Sequence, residues 1–145
     1  MPGDYHFEEG SGVSVTTYWG QVSLVDILET ISRRLHDPDI DSIKASVIDL
    51  SAATWSEVPP KYVHKELDRL RPALGPPRAR TVFVTPGEFF YGFARMYALI
   101  HVIYGAASVE VARSWKDAGR LLGLDLVAAE AWAKDRAAAW EETRH

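Results

Sequence analysis

Short apolar runs alternate with segments of helical periodicity along this chain. Five runs have the length and composition of strands, and they cover residues 5–8, 13–19, 43–50, 81–84 and 108–112. The first two flank Gly10-Ser11-Gly12, a sequence typical of a hairpin turn. Helical segments separate the later runs, as the crossovers between parallel strands require. The pattern predicts an α/β fold with a mixed, mostly parallel sheet that opens with a β-hairpin and is flanked by helices.

The faces and ends of the strands follow from the same pattern. One face of the run 13–19 carries Val13, Val15, Thr17 and Trp19. We therefore expect one side of this strand to be more buried than the other, and we expect Gly20 to end it. The runs 43–50 and 81–84 are expected to be adjacent and parallel in the middle of the sheet. Residues 51–56 are expected to form the loop that follows the first of these two strands.

Start and stop signals predict where the helices lie. Ser23 followed by Asp26 is typical of a capping box and opens the first helix. Further helices are predicted at 59–74, 86–104 and 114–122. The helix 86–104 is apolar around most of its circumference, so it must be covered on more than one side.

An alanine-rich helix is predicted from Asp125 onward, with Trp132 and Trp140 two turns apart. This tail is expected either to dock on the rest of the domain or to contact a second subunit, so a homodimer is among the assemblies we consider. A chain of 145 residues fits one domain. We expect residues 1–124 to form its main part and residues 125–145 to be a C-terminal helical extension of the same domain.

Composition and charge exclude several classes of protein. The chain contains no cysteine, so it has no disulfide and no thiolate metal site. Its net charge of −4 disfavours a nucleic-acid partner, which would need a basic stripe to follow the phosphates. Residues 1–7 lack the basic and apolar regions of a signal peptide, and no apolar run is long enough to span a bilayer. We therefore expect a cytoplasmic protein with no membrane span and no nucleic-acid partner.

The sequence contains no complete catalytic or metal-binding motif. Phosphate-binding glycine loops, the His-Glu-x-x-His zinc motif and the Gly-x-Ser-x-Gly nucleophile motif are all missing. Asp37, Asp39 and Asp41 begin like a calcium loop, but Ser42 and Ile48 stand where that loop requires glycine and glutamate. The five histidines have no partner at metal-binding helical spacing. The sequence therefore predicts no catalytic residue, no metal site and no cofactor.

The carboxyl ends of the parallel strands are the best position for a ligand site. Ligands of open α/β sheets bind there, beside helix N-termini that offer backbone donors. Polar and aromatic residues follow the strand 43–50 or lie on the apolar helix after 81–84, and the predicted ligand-binding residues are Ser51, Thr54, Trp55, Ser56, Phe90, Arg95 and His101. Two alternatives stay open: the hydroxyls serve only in helix caps and turns, and His101 is a hydrogen-bonded core histidine.

Several sequence features in combination carry a family resemblance. They are the hairpin ending in Trp19-Gly20, the helix from Ser23, the strand end Ile48-Asp49-Leu50-Ser51, the segment Phe89-Phe90-Tyr91-Gly92-Phe93-Ala94-Arg95-Met96, and Val109-Glu110-Val111 followed by Trp115-Lys116-Asp117-Ala118. Over residues 5–124 these features resemble the STAS superfamily (sulfate transporter and anti-sigma-factor antagonist), in particular its SpoIIAA-like branch of small bacterial proteins. The resemblance implies a STAS/SpoIIAA-like domain over 1–124 with an extra C-terminal helix.

The resemblance also implies a non-enzymatic role. Classical members of the superfamily exchange protein partners when a serine at a helix N-terminus is phosphorylated. In this chain Glu57-Val58-Pro59-Pro60 replaces the Asp-Ser-Ser-Gly run of those members, which leaves Ser56 as the nearest hydroxyl. The SpoIIAA-like branch is associated with lipid-like or other apolar ligands, and its members have no agreed enzymatic activity.

The leading hypothesis is a non-enzymatic binding or regulatory module of bacterial signalling. It would bind an apolar, lipid-like small molecule or a protein partner beside Trp55 and the segment 89–96. A rival hypothesis is a small hydrolase-type enzyme that uses His64 or His101 with nearby hydroxyls and Glu57. A third is a purely structural homo-oligomer built through the apolar helix and the tryptophan-bearing tail.

Overall fold

A five-stranded sheet forms the centre of the protein. The structure is a computed structural model, which describes residues 2–8, 10–23, 26, 29–30, 33–34, 36–39, 42–55, 80–87 and 109–143. The strands lie in the order β1-β2-β3-β4-β5, with bounds β1 Gly3–Glu8, β2 Val13–Val22, β3 Ala45–Trp55, β4 Arg80–Val84 and β5 Val109–Ala112. β1 is antiparallel to β2, and the remaining neighbours are parallel. The predicted hairpin, the mostly parallel sheet and the central, parallel β3–β4 pair are all confirmed.

Two complete helices follow the sheet in the described part of the chain. They are α1, Trp115–Leu122, and α2, Val127–Thr143. Ser114 caps α1 by accepting a hydrogen bond from the Asp117 N–H, and Gly123 ends it in the left-handed conformation. Both helices lie where the sequence predicts them. None of the described helices is long and apolar enough to cross a membrane.

The helix predicted after β2 is present at its described positions. Ser23 and Asp26 exchange the capping-box hydrogen bonds, since the Ser23 N–H donates to the Asp26 carboxylate at 2.8 Å and the Asp26 N–H donates to Ser23 Oγ at 3.3 Å. Residues 26, 29–30 and 33–34 are helical. The helices predicted at 59–74 and 86–104 lie outside the described residues.

The main core lies between one face of the sheet and the two helices. Its members are buried aliphatic, alanine and indole side chains of β2–β5, α1 and the start of α2: Val13, Val15, Ala45, Val47, Val82, Val84, Ala112, Trp115, Ala118, Leu122, Leu126, Ala129 and Ala133. Small alanines on α2 allow this helix to approach the sheet closely. The core therefore includes the C-terminal helix.

β2 is buried on both faces, which corrects the expectation that one face would be more exposed. Ser14, Thr16 and Tyr18 are as inaccessible as the apolar residues that alternate with them. The reason is that β2 is an interior strand whose second face also receives cover: Arg34 donates a hydrogen bond to Ser46 Oγ, on the neighbouring strand, at 2.6 Å. The alternation of polar and apolar residues along β2 therefore does not correspond to an alternation of exposed and buried residues.

Two strand ends were also predicted wrongly. Gly20 does not end β2, which continues to Val22 with Gly20 at φ +65°. Residues 51–55, expected in a loop, form the last part of β3, in which residues 52–55 pair with residues 19–22 of β2. Pairing with β2 satisfies the backbone of a segment whose side chains alone favour a loop.

α2 docks on the strands β1 and β2 in this structure, as the docked-arm alternative for the tail expects. Arg136 donates from Nε to the Asp4 carboxylate at 3.0 Å, and its guanidinium lies 4.6 Å from the ring centroid of Trp19. One turn earlier, Trp132 stacks on His6 at 5.2 Å between ring centroids. One turn later, the Trp140 ring lies against Gly20. The last three turns of α2 are therefore attached to β1 and β2 by specific contacts.

We expect Gly20→Ala to destabilise the protein more than Gly10→Ala. Both glycines have positive φ, but an added Cβ at Gly20 would lie 2.8 Å from the Trp140 ring, whereas one at Gly10 meets nothing within 4 Å. The left-handed backbone alone costs roughly 1–2 kcal/mol for a non-glycine residue, and displacement of the indole brings the loss at Gly20 to about 2–4 kcal/mol. Urea unfolding of the two variants measures the difference. Equal losses would contradict the close contact of Trp140.

We expect the stability of the protein to fall at alkaline pH through Tyr5. Its hydroxyl donates to Asp37 Oδ2 at 3.0 Å, and burial together with this hydrogen bond raises the pKa of Tyr5 above 10.0. The fold thus favours the neutral phenol, so the stabilisation is complete below about pH 10 and is lost as pH rises through the higher folded value.

Tyr5→Phe is the matched test of that statement. It retains the ring but removes the hydrogen bond, so it should cost about 1 kcal/mol at neutral pH and flatten the decline in stability above about pH 10. Urea unfolding across this range compares the two proteins. An unchanged alkaline decline in the variant would exclude Tyr5 as its source.

Candidate functional site

β3 has one residue more than β2 in the middle of their pairing. Thr17 pairs with Asp49, whereas Trp19 pairs with Ala52, so two steps along β2 match three along β3. This irregularity is a β-bulge, which interrupts the ladder and re-aims the side chains that follow it. The bulge lies beside Ser51, the first of the residues predicted to bind a ligand.

Asp49 accepts hydrogen bonds from Ser51, the residue at which the ladder is interrupted. The residue is 4% exposed, and its Oδ1 accepts hydrogen bonds from the Ser51 N–H at 2.9 Å and from the Ser51 hydroxyl at 2.5 Å. A buried carboxylate is costly unless it is hydrogen-bonded, and charge-assisted bonds are shorter and stronger than neutral ones. These two bonds therefore fix both the backbone and the hydroxyl of Ser51.

Beyond the bulge, β2 and β3 continue as a two-stranded parallel extension. Residues 19–22 pair with residues 52–55, whereas the described pairing of β4 with β3 ends at Asp49 and that of β1 with β2 ends at Tyr18. We call residues 19–22 and 51–55 the carboxyl ribbon. Its exposed residues are Gln21, Ser51, Ala52 and Thr54. The carboxyl ribbon thus presents small and hydroxyl side chains at the carboxyl end of the sheet.

Most other hydroxyls near the strand ends form local hydrogen bonds. Thr85 is fully buried, its N–H donates to the Ala112 carbonyl at 2.9 Å and its hydroxyl donates to the Gly87 carbonyl at 3.4 Å. Ser114 caps α1. Thr54, in contrast, is exposed, and its hydroxyl forms no hydrogen bond with another described residue. Capping and turn chemistry accounts for Thr85 and Ser114, and Thr54 is available to a partner.

The structure brings part of the predicted site together. Ser51 and Thr54 both lie on the carboxyl ribbon, and Trp55 ends β3. Four of the predicted residues lie outside the described part of the chain: Ser56, Phe90, Arg95 and His101. Of the described residues, no three histidine, cysteine, aspartate or glutamate side chains group in a way that could hold a metal ion.

A buried polar group lies under α2, beside the bulge. Thr17 is fully buried opposite Asp49, and its hydroxyl has no hydrogen-bond partner among the described residues. On α2, the hydrogen bond and charge of Glu130 raise the pKa of Lys134, and the charge of Asp49 acts in the same direction. Lys134 therefore stays protonated at neutral pH.

A groove of about 430 Å³ runs beside the carboxyl ribbon on the α2 side. It is lined by Pro2, Trp19, Arg136, Ala139, Trp140 and Thr143. The Arg136 guanidinium is already stacked on Trp19 and paired with Asp4. The groove is therefore built largely from the contacts that dock α2.

Sequence reasoning missed Asp49 as a site residue. Its signal was available, since a single carboxylate, two residues before Ser51, stands in the otherwise apolar run 47–50. It also missed the pairing of Asp4 with Arg136, which are 132 positions apart. No periodicity or motif connects two such distant residues.

Comparison with known proteins shows a likeness of fold. No protein-family model and no curated protein matches this sequence. An uncharacterised protein of the DUF3478 family with a SpoIIAA-like fold, from Shewanella loihica PV-4, is 12% identical with a TM-score of 0.54, and the match covers 83% of this chain and 93% of that one. The anti-sigma factor antagonist SpoIIAA in its unphosphorylated form is 12% identical with a TM-score of 0.44, over 83% of this chain and all of that one. On its topology and the first of these likenesses, the chain has a SpoIIAA-like fold.

Proposed function

We propose that this chain is a non-enzymatic binding module of SpoIIAA-like type that docks a protein partner on the carboxyl ribbon. The observation that carries the proposal is the extension of β2 and β3 past the described ends of their neighbours, with Ser51, Ala52 and Thr54 exposed. Rigid strand ends position side chains more accurately than loops do. The ribbon is therefore suited to recognition.

The shape and chemistry of the carboxyl ribbon favour a protein over a small molecule. Its exposed side chains are small or carry hydroxyl and amide groups, and they lie along a strand. Drug-sized ligands instead require a concave and mostly apolar pocket. Protein surfaces that bind transiently have about the same polarity as the rest of a protein surface, which suits these residues.

Asp49 supports binding by pre-organising Ser51. A hydroxyl that is already fixed loses little conformational freedom when a partner binds, so less of the interaction energy is spent on ordering. The hydrogen bonds from Ser51 to the buried Asp49 provide this effect. Regulation would act through the same surface, because any charge placed on the ribbon would change its complementarity to a partner.

The contacts of Ser51 support a non-enzymatic role. A serine nucleophile needs a base that accepts its proton and a third group that orients the base. Here the Ser51 hydroxyl donates directly to a carboxylate two residues earlier on the same strand. The two described histidines do not bond to it, and the His6 ring stacks on Trp132 with its Nε2 3.4 Å from Glu8 Oε1.

The docking of α2 supports the proposed domain organisation. Residues 125–143 contribute Leu126, Ala129 and Ala133 to the main core. They therefore share the hydrophobic interior of the first 124 residues, as a helical extension of the same domain does.

Photo-crosslinking tests the binding surface. We expect a photoreactive phenylalanine analogue at position 54 to form a specific adduct with a different protein in cells that produce this chain. The same analogue at Ser11, in the exposed β-hairpin turn at the opposite end of β2, is the control and should not form it. The mass of the adduct separates a protein from a lipid-sized molecule, and a lipid-sized adduct would refute the protein partner.

A second set of variants tests whether the ribbon itself carries affinity. Thr54 stays the labelled position, and Ser51→Arg places a long charged side chain beside it. This change should lower the yield of the adduct at least about tenfold, because an unmatched charge in an interface costs several kcal/mol. Arg introduced at Ser11 should leave the yield unchanged. Adducts at position 54 that are insensitive to Ser51→Arg, or that contain only a second copy of the chain, would contradict the proposal.

A further inference from the structure

We propose that two copies of this chain exchange α2, so that the C-terminal helix of each copy docks on β1 and β2 of the other. In the exchanged dimer, α1 and α2 would join into one helix across residues 123–126. The exposed apolar residues around this connection would then be buried between the two joined helices. This assembly adds an interaction surface, at the α1–α2 connection, that is separate from the carboxyl ribbon.

The connection between α1 and α2 is compatible with a continuous helix. The sequence from Trp115 to Thr143 contains no proline, so no residue in it blocks helical hydrogen bonding. The turn depends on Gly123, which adopts φ +67° and donates to the Arg120 carbonyl. Glycine adopts helical and left-handed conformations with similar ease, so Gly123 can join a helix at little cost. Residues 124–126 would become helical with it, and Asp125 would give up the cap in which its Oδ1 accepts from the Val127 N–H at 3.0 Å.

The α1–α2 connection is also where the described part of the chain exposes its large apolar residues. Leu121 and Leu124 are each 38% exposed, and Val127 is 75% exposed. Leu124 closes the helix end by donating to the Gly119 carbonyl at 3.0 Å. In such an end motif a hydrophobic residue at the position of Gly119 would normally pack on Leu124, and glycine offers no side chain for this contact.

A continuous helix would convert these three residues into a stripe. At 100° per residue, positions spaced by three lie about 60° apart around a helix, so Leu121, Leu124 and Val127 would occupy an arc of about 120°. Two such helices related by a two-fold axis would cross antiparallel near Leu124 and bury both stripes against each other. A second copy therefore covers the apolar surface with residues of matching chemistry.

The contacts that dock α2 can form between two copies as well as within one. They are the burial of Ala129 and Ala133, the Asp4–Arg136 ion pair on Trp19, and the seat of Trp140 on Gly20. All of these contacts are retained after exchange. The exchanged dimer therefore differs in free energy from two closed monomers through the hinge at residues 123–126 and the stripe. The fraction of dimer then rises with protein concentration, as it does in any association of two molecules.

Native mass spectrometry from micromolar to millimolar concentration measures this equilibrium. We expect a dimer fraction that rises with concentration. Gly123→Ala should raise the association constant at least about tenfold, because alanine favours the helical hinge and disfavours the left-handed turn. Leu121→Lys combined with Val127→Lys should lower it by a similar factor, whereas Ala138→Lys, which is exposed on α2 but three turns from the hinge, should not. A wild type and a Gly123→Ala variant that both stay monomeric would overturn the proposal.

A mixing experiment separates exchange of α2 from simple side-by-side association. In Asp4→Arg and in Arg136→Asp, the two partners of the docking ion pair carry like charges. When the two variants are mixed and exchange their helices, residue 4 of each copy lies beside residue 136 of the other copy, which carries the opposite charge. Both ion pairs are therefore restored in the heterodimer. Heterodimers should then clearly exceed the share of about half that random pairing gives. A random share, or no dimer, would overturn exchange, and the Gly123→Ala result stands independently if either charge variant folds poorly.

Discussion

The pairing of β2 with β3 is the contact on which the rest of this structure depends. β2 is bonded along both edges, to β1 and to β3, and both of its faces are buried. One of these faces receives α2, and the other carries Ser14 and Thr16. Because residues 13–19 of β2 have no solvated side, every backbone group in that part of the strand needs a partner in the protein. The register between β2 and β3 therefore sets the positions of the helix, the bulge and the carboxyl ribbon together.

The buried polar groups on these strands have a cost that the surroundings partly offset. Asp49 is held by the N–H and the hydroxyl of Ser51 on its own strand. Thr17, beside it, has a buried hydroxyl without a described partner. Polar groups left unsatisfied in a core reduce stability, and in some proteins such groups specify the register of the packed elements. Here the polar pair of Thr17 and Asp49 lies immediately before the point where the register changes.

The elements with strong local signals were predictable from the sequence. Apolar runs located all five strands, and Ser114 and Gly123 fixed both ends of α1, because caps act through neighbouring residues. The last part of β3 was not predictable, since residues 51–55 contain serine, alanine and threonine, and only the long-range pairing with β2 makes them a strand. The end of β2 was predicted wrongly at Gly20 for the same reason. The positive φ of Gly20 occurs inside the strand, where this residue lies against Trp140, and not in a turn.

For the candidate site, position was predictable and organisation was not. The rule that ligands bind at the carboxyl ends of parallel strands directed attention to Ser51 and Thr54, and the structure has both residues at that end of β3. It could not reveal that Asp49 holds Ser51, because a carboxylate in an apolar run has no unique meaning without its geometry. It could not connect Arg136 with Asp4 either, since contacts between distant segments leave no periodic pattern.

The bulge at Ser51 has a consequence for how such a protein can evolve. Before it, consecutive residues of β3 are constrained by packing on both faces, so substitutions there would disturb the core. From Ser51 onward, Ser51, Ala52 and Thr54 are exposed and Ala53 is buried, so the inside–outside alternation starts again in a new phase. Mutations in this second segment can therefore accumulate with little effect on folding. A lineage could change its recognition surface there, one side chain at a time, while the sheet that supports it stays the same.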